Sequence, residues 1–149
     1  TEAVIAAAVH LLDRPRETLL EDLGTYLVSH PNVDALRRLL RFGGVTFVDF
    51  LHSLEDLPGR GRLALPDLEL PTLVVTNHTA EYFTLRCWSP LPGIGHVFLG
   101  LLRAMADDYG ALVLLEYQGF AQGSEEVSIH LLESRFASGR RFELAARAG

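Results

Sequence analysis

The chain has 149 residues, of which 48% are apolar, 21% charged and 9% aromatic, with 19 acids against 13 bases for a formal charge of −6. A chain of this length buries roughly 70% of the surface its unfolded form exposes, so it holds a real core as one globular domain; a disordered chain and a two-domain enzyme are excluded. All 13 basic residues are arginine, which removes Schiff-base chemistry and the phosphate-gripping lysines of P-loop proteins and kinases.

The arginines are scattered or stand in short pairs, Arg37-Arg38 and Arg140-Arg141. With net negative charge, no stripe tracks a phosphate backbone, and nucleic acid is not expected as a partner. Uninterrupted apolar runs such as residues 111–115 fall far short of the roughly 18 residues that cross a bilayer, so no membrane span is expected. The single cysteine, Cys87, makes neither an internal disulfide nor a thiolate zinc site. With no basic-then-apolar leader, the expected location is cytoplasmic.

Apolar residues at helical spacing predict helices over 1–12, through Val4, Ile5, Ala8, Leu11 and Leu12, and over 17–28, through Leu19, Leu20, Leu23 and Leu27. They join near Asp13-Arg14-Pro15. His30-Pro31 ends the second, and Asn32 reads as the N-cap of a short helix through Leu36, Leu39 and Leu40 that stops at Gly43-Gly44. Thr46 with Asp49 reads as a capping box opening a helix through Phe47, Phe50, Leu51, Leu54 and Leu57, closed by Pro58-Gly59. Residues 60–71 read as an ordered, proline-punctuated loop over the core.

The period then changes to two. Strands over 72–76 and 81–88 flank Asn77-His78-Thr79-Ala80 as a hairpin. A helix over 94–109 should bury Val97, Leu101, Leu102 and Met105, leave Arg103, Asp107 and Asp108 solvated, and end at Gly110. Strands over 112–117 and 126–132 follow around a glycine-containing turn. The fold class is α+β: an N-terminal helical subdomain, then a mostly antiparallel four-stranded sheet with a crossing helix. Within one domain over 1–149, the helical part covers about 1–58, the loop 59–71, the sheet and helix about 72–133 and a tail 134–149.

Side-chain chemistry is sparse. The six histidines, at 10, 30, 52, 78, 96 and 130, include no pair at i, i+4, and HExxH, CxxC and EF-hand patterns are missing, so no metal site is expected. His78 with Glu81 reads as a polar hairpin tip. No GxSxG elbow is present, and Asp107-Asp108 and Glu125-Glu126 read as a solvated helix end and turn. No catalytic residue is expected, and the domain is not read as an enzyme. Cys87 shares a strand face with Phe83 and Leu85 and reads as core, while Trp88 alternates onto the other face with Tyr82, Thr84 and Arg86.

One stretch carries a family signal. Phe50-Leu51-His52-Ser53-Leu54-Glu55-Asp56-Leu57, followed by Pro66-Asp67-Leu68 and Pro71-Thr72-Leu73, resembles the haem-nitric oxide/oxygen-binding (H-NOX) domain, the sensor of bacterial gas receptors and of soluble guanylate cyclase. Supporting matches are residues 19–26, residues 36–50, and the passage from Trp88-Ser89 through Gly93 to Gly100-Leu101-Leu102. Together they run from about Thr1 to Glu133, and their order and spacing, rather than a single motif, carry the resemblance. It implies a helical subdomain followed by an antiparallel sheet, haem b as cofactor, and a further helical segment ahead of Thr1 that covers the distal face.

The resemblance places the family's axial histidine at Pro58. At about 100° per residue that position shares a helical arc with Phe47, Leu51 and Leu54, whereas His52 lies on the polar face with Asp49 and Asp56. The family's Tyr-x-Ser-x-Arg propionate motif falls on Cys87, Ser89 and Leu91, so only Ser89 is kept and the bidentate guanidinium grip is gone. Pro71 corresponds to a proline that touches haem. By resemblance, then, Ser89, Pro71 and Leu54 line the pocket, and Pro58, Cys87 and Leu91 occupy haem-site positions without the family's groups. The expectation is no bound cofactor and a non-enzymatic signalling domain without His-ligated haem. The alternative is a sensor that binds haem through another ligand, or another apolar molecule, in the inherited pocket. The expected partner is a signalling protein or fused output domain, with the 94–110 helix as the first surface to consider.

Overall fold

Two apolar periods build two layers. The computed structural model describes residues 2–12, 14–29, 34–42, 44–59 and 70–133. Asn32, Gly43, most of the 60–71 loop and the 134–149 tail lie outside the described residues. The helical layer comprises α1 (Glu2–Leu12), α2 (Arg16–Ser29), α3 (Asp34–Arg41) and α4 (Phe47–Ser53). The second layer comprises β1 (Thr72–Asn77), β2 (Tyr82–Trp88), α5 (Ile94–Tyr109), β3 (Leu112–Ala121) and β4 (Ser124–Glu133).

The sheet order is β1-β2-β4-β3, with every neighbouring pair antiparallel. β1 and β2 form a hairpin in which Leu73 opposes Cys87 and Thr72 opposes Trp88. β3 and β4 run longer than their apolar stretches predict. Gln122 and Gly123, at φ 55° and 80°, close a two-residue turn whose left-handed backbone matches strand twist, so pairing extends to Ala121 and Ser124. A register shift between Tyr117 and Gly119 marks a bulge in β3.

Period-two alternation sends Phe83, Leu85 and Cys87 of β2 and Val127, Ile129 and Leu131 of β4 to one buried face. α5 crosses that face between β2 and β3 and ends where Gly110 adopts φ 69°, a left-handed C-cap that returns its N–H to the last carbonyls. α2 packs on the other side of α5 so closely that Gly24 meets the Val97 carbonyl and Gly100 meets the Glu21 carbonyl. The Thr25 hydroxyl donates to the Gly100 carbonyl at 3.3 Å across the same crossing. Val97, Leu101, Leu102 and Met105 are buried as expected, but so are Ile94, Phe98, Leu99 and Ala106. Sandwiched in this way, α5 is a core helix. Asp108, expected in solvent, instead pairs with Arg41 at 3.4 Å with its side chain 19% exposed.

α4 opens as its sequence predicts. The Asp49 N–H donates to Thr46 Oγ1 at 3.2 Å and the Thr46 N–H to Asp49 Oδ2 at 3.3 Å, a complete capping box. Phe47 and Phe50 then pack on Tyr109 with ring centroids 6.2 and 5.8 Å away, and the Tyr109 hydroxyl donates to the Gly44 carbonyl at 2.8 Å. Burying Phe50, Leu51 and Leu54 completely is worth about 1.5–3 kcal/mol each. The predicted continuous helix through Leu57 is not formed: after Ser53 the chain tightens into a 3-10 turn, Leu54–Asp56, and residues 57–59 are again α-helical.

Candidate functional site

The 3-10 turn matters for position 58. An α-helix advances about 100° per residue, a 3-10 helix about 120°, so three tightened residues rotate the positions beyond them by about 60°. The arc drawn from Phe47 through Leu51 and Leu54 therefore does not extend unchanged to Pro58, which is half-buried, with Gly59 exposed after it. The turn is tied to the sheet where the Val75 N–H donates to Glu55 Oε1 at 2.9 Å. His52 is exposed and meets Phe83 only by its ring edge, at 6.0 Å between centroids.

Leu54 is 1% exposed, packed in the core. Pro71 is buried immediately before β1 and Ser89 is half-buried immediately after β2; because Thr72 opposes Trp88, the two stand together at one end of that strand pair. The Ser89 hydroxyl oxygen accepts the Leu91 N–H at 3.2 Å, a local turn. Leu91 is partly buried and packs against the core. Cys87 lies one strand position inward at 1% exposure, between Leu73 on β1 and Glu125 on β4. Burial, followed by the Glu125 charge, pushes its thiol up to about 12, so it is a neutral thiol near pH 7.

Glu125 corrects the sequence reading of a solvated turn. It is only 4% exposed, and its carboxylate fills the N-terminus of α5. Oε2 accepts the N–H groups of Gly93 and Ile94 at 2.9 and 3.1 Å; Oε1 accepts the Gly95 N–H at 3.2 Å and the Tyr117 hydroxyl at 2.7 Å. These are orphan donors of a helix start, and the macrodipole favours the negative charge. Burial first, then the bond to Glu125, holds the Tyr117 phenol above its ordinary pKa. The His96 ring stacks on Tyr117 at 3.9 Å, leaving Nδ1 buried without a hydrogen-bond partner among the described residues. The signal for Glu125 lay in the alternation, since it shares the face of Val127, Ile129 and Leu131.

The hairpin tip is polar, as read: His78 Nε2 is 3.0 Å from Thr84 Oγ1, and Thr79 Oγ1 accepts the N–H groups of Glu81 and Tyr82. Among the described residues no cluster of three or more His, Cys, Asp or Glu is arranged to hold a metal ion, and no helix is long and apolar enough to cross a membrane.

The model of the haem-NO-binding family matches residues 1–116. The chain belongs to the haem-NO-binding family. Its fold agrees with solved H-NOX structures. An Fe(II) unliganded H-NOX protein from K. algicida is 22% identical over 87% of this chain and 70% of its own, with a TM-score of 0.73. An H-NOX mutant from S. oneidensis in the Fe(II) ligation state is 16% identical over 88% and 71%, with a TM-score of 0.74. A point mutant of T. tengcongensis H-NOX is 14% identical over 89% and 73%, with a TM-score of 0.69. No curated protein matches the chain.

H-NOX domains are haem-based gas-sensor domains rather than enzymes. The family assignment overturns the expectation of no cofactor, because haem is what this family binds. The residues that the sequence resemblance sets at ligand and propionate positions offer no group for a His-ligated haem. Pro58 has no donor atom, the Cys87 thiol is buried and protonated, and Leu91 has no charge.

Proposed function

We propose that this chain is a non-enzymatic, haem-based sensor domain of the H-NOX family in which position 58 does not supply the iron ligand and the propionate grip is reduced to Ser89. The observation that carries this reading is the family match over residues 1–116, taken together with Pro58 in the helical passage over 57–59. Leu54, Pro71 and Ser89 line the pocket, with Pro58, Cys87 and Leu91 at its haem-site positions. Haem supplies the gas-binding iron when bound; this chain's own residues supply apolar contact, exclude water and hold the 89–95 junction through Glu125. Output passes to a signalling partner or fused output domain in a reducing, cytoplasmic setting, consistent with the free Cys87.

Haemin titration of the purified chain tests the reading. The expected result is a saturable Soret band whose ferrous form lacks the signature of five-coordinate histidine ligation. A chain that is folded by circular dichroism but takes up no haem refutes the sensor assignment. A five-coordinate histidine spectrum assigns the iron to another of the chain's histidines and refutes the expectation of haem without histidine ligation.

A further inference from the structure

The apolar run 111–115 stands at an edge of the sheet. β3 has β4 as its one strand neighbour, so alternate residues turn their backbone groups outward. Their phase is fixed by the Leu131 N–H, which donates to the Glu81 carbonyl on the β2 side at 2.7 Å. Successive residues of a strand bond to opposite sides, so His130 bonds toward β3 and its partner Leu114 bonds back toward β4. Val113 and Leu115 therefore present N–H and C=O to the open edge, and no described residue bonds to them there.

The two edges of the sheet are finished differently. On β1 the outward Val75 N–H is taken by the Glu55 carboxylate. On β3 no proline, lysine or charge interrupts residues 111–115, and the bulge between Tyr117 and Gly119 blunts only the far half. Leu112 and Leu114 are 53% and 49% exposed on the face turned away from α5, with Glu116 exposed next in that row. The register shift between Leu112 and Val113 places its extra residue, Leu132, on β4, so the alternation along β3 is unbroken.

We propose that this edge pairs with the same edge of a second copy, β3 antiparallel to β3 about a two-fold axis at Val113, joining the two sheets into one. In that register Val113 exchanges both of its edge hydrogen bonds with Val113 of the second copy. The Leu115 N–H meets the Ala111 carbonyl of the second copy, the Ala111 N–H being already bonded to the Ala106 carbonyl. Leu112 lies opposite Leu114 of the second copy, and Leu114 opposite its Leu112, in the close non-hydrogen-bonded positions. Glu116 falls opposite Gly110 of the second copy, about 20 Å along the strand from the other Glu116. Registers centred on Leu114 or Leu115 keep the bonding phase but set Glu116 against a leucine, so apolar and charge matching select Val113. The contact is isologous, and it satisfies both open edges at once. Pairing over 111–115 buries less than the standard interface of about 1,600 Å², so the dimer is a transient one. It does not depend on haem, and it stands or falls apart from the sensor reading.

Sedimentation velocity and amide hydrogen exchange on the full chain, over about a hundredfold range of concentration, test the pairing. The expected result is a monomer–dimer equilibrium in which exchange at the Val113 and Leu115 amides slows by about tenfold as dimer forms, while Leu114 and Glu116, turned toward β4, keep one rate. Leu114→Glu sets a carboxylate against Leu112 of the second copy from an exposed position and should return the chain to monomer with its circular dichroism unchanged. Leu112→Glu should do the same from the other side of the axis. A parent that stays monomeric over the whole range overturns the proposal. A dimer that both variants leave intact places the contact elsewhere and also overturns it. Protection of Val113 and Leu115 that ignores concentration means that the chain covers its own edge, and overturns it too.

Discussion

Replacing Glu125 by alanine removes the one acceptor that serves four donors at the start of α5. The cost depends on which donors are stranded. Ile94 and Gly95 are buried and cannot exchange the carboxylate for water, whereas Gly93 and Tyr117 are partly exposed and can. Two unsatisfied buried N–H groups at about 1–3 kcal/mol each set the expected loss at about 2–6 kcal/mol. Glu125→Gln keeps the shape and one acceptor oxygen but turns an NH2 toward the other set of donors, stranding one buried N–H, and forfeits the charge at the helix N-terminus, an expected loss of about 1–4 kcal/mol. Against a total stability of about 5–15 kcal/mol, the alanine variant gives up the larger fraction and the glutamine variant the smaller one. Urea unfolding at pH 7, followed by the fluorescence of Trp88 two β2 positions from the Glu126 partner Arg86, measures both midpoints. An unchanged slope attributes the shift to stability. If both variants unfold within about 0.5 kcal/mol of the parent, the range of ordinary surface substitutions, the carboxylate does not hold the loop–helix junction and the reasoning fails.

Adding a methyl at the α2–α5 crossing, by Gly24→Ala or Gly100→Ala, drives Cβ into a backbone carbonyl of the facing helix and should cost at least about 1–3 kcal/mol in thermal or urea unfolding. The Cys87 thiol is raised from 9.0 to about 12 in the folded chain, so the folded state binds more protons across that window: its stability contribution is complete below pH 9 and is lost as pH rises through about 12. Alkaline unfolding curves should therefore steepen above pH 9 in the parent and flatten in Cys87→Ala, while thiol reagents should react with Cys87 only on unfolding. Pro58→His combined with Leu91→Arg supplies an imidazole and a guanidinium at the positions proposed for haem ligation and should raise haemin affinity, read by titration at the Soret band. Adding Cys87→Tyr to that pair should instead lower stability, because a phenol has no room at a position 1% exposed and opposite Glu125.

Local chemistry sufficed for most of the elements and for the family. The capping box at Thr46, the helix end at Gly110 and the inward faces of β2 and α5 depend on side chains a few residues apart, and such local rules operate wherever the chain lies. The order and spacing of short motifs likewise pointed to H-NOX, as the match over residues 1–116 shows. The cofactor could not be read from three residue identities alone, since Pro58, Cys87 and Leu91 say what stands at three positions and nothing about what the family binds.

Contacts between distant segments needed the folded chain. Glu125 looks like a turn acid until β4 is paired with β2 and its carboxylate meets the first amides of α5, thirty residues upstream in the case of Gly95. Asp108 looks solvated until α3 brings Arg41 beside it, and α5 looks amphipathic until α2 closes on the side opposite the sheet. The helix after Thr46 looks continuous until its end meets β1, where Glu55 takes the Val75 N–H and the backbone is a 3-10 turn. In each case the deciding term is the desolvation of a polar group or the close approach of two backbones, and both arise only when segments far apart in sequence share one interior.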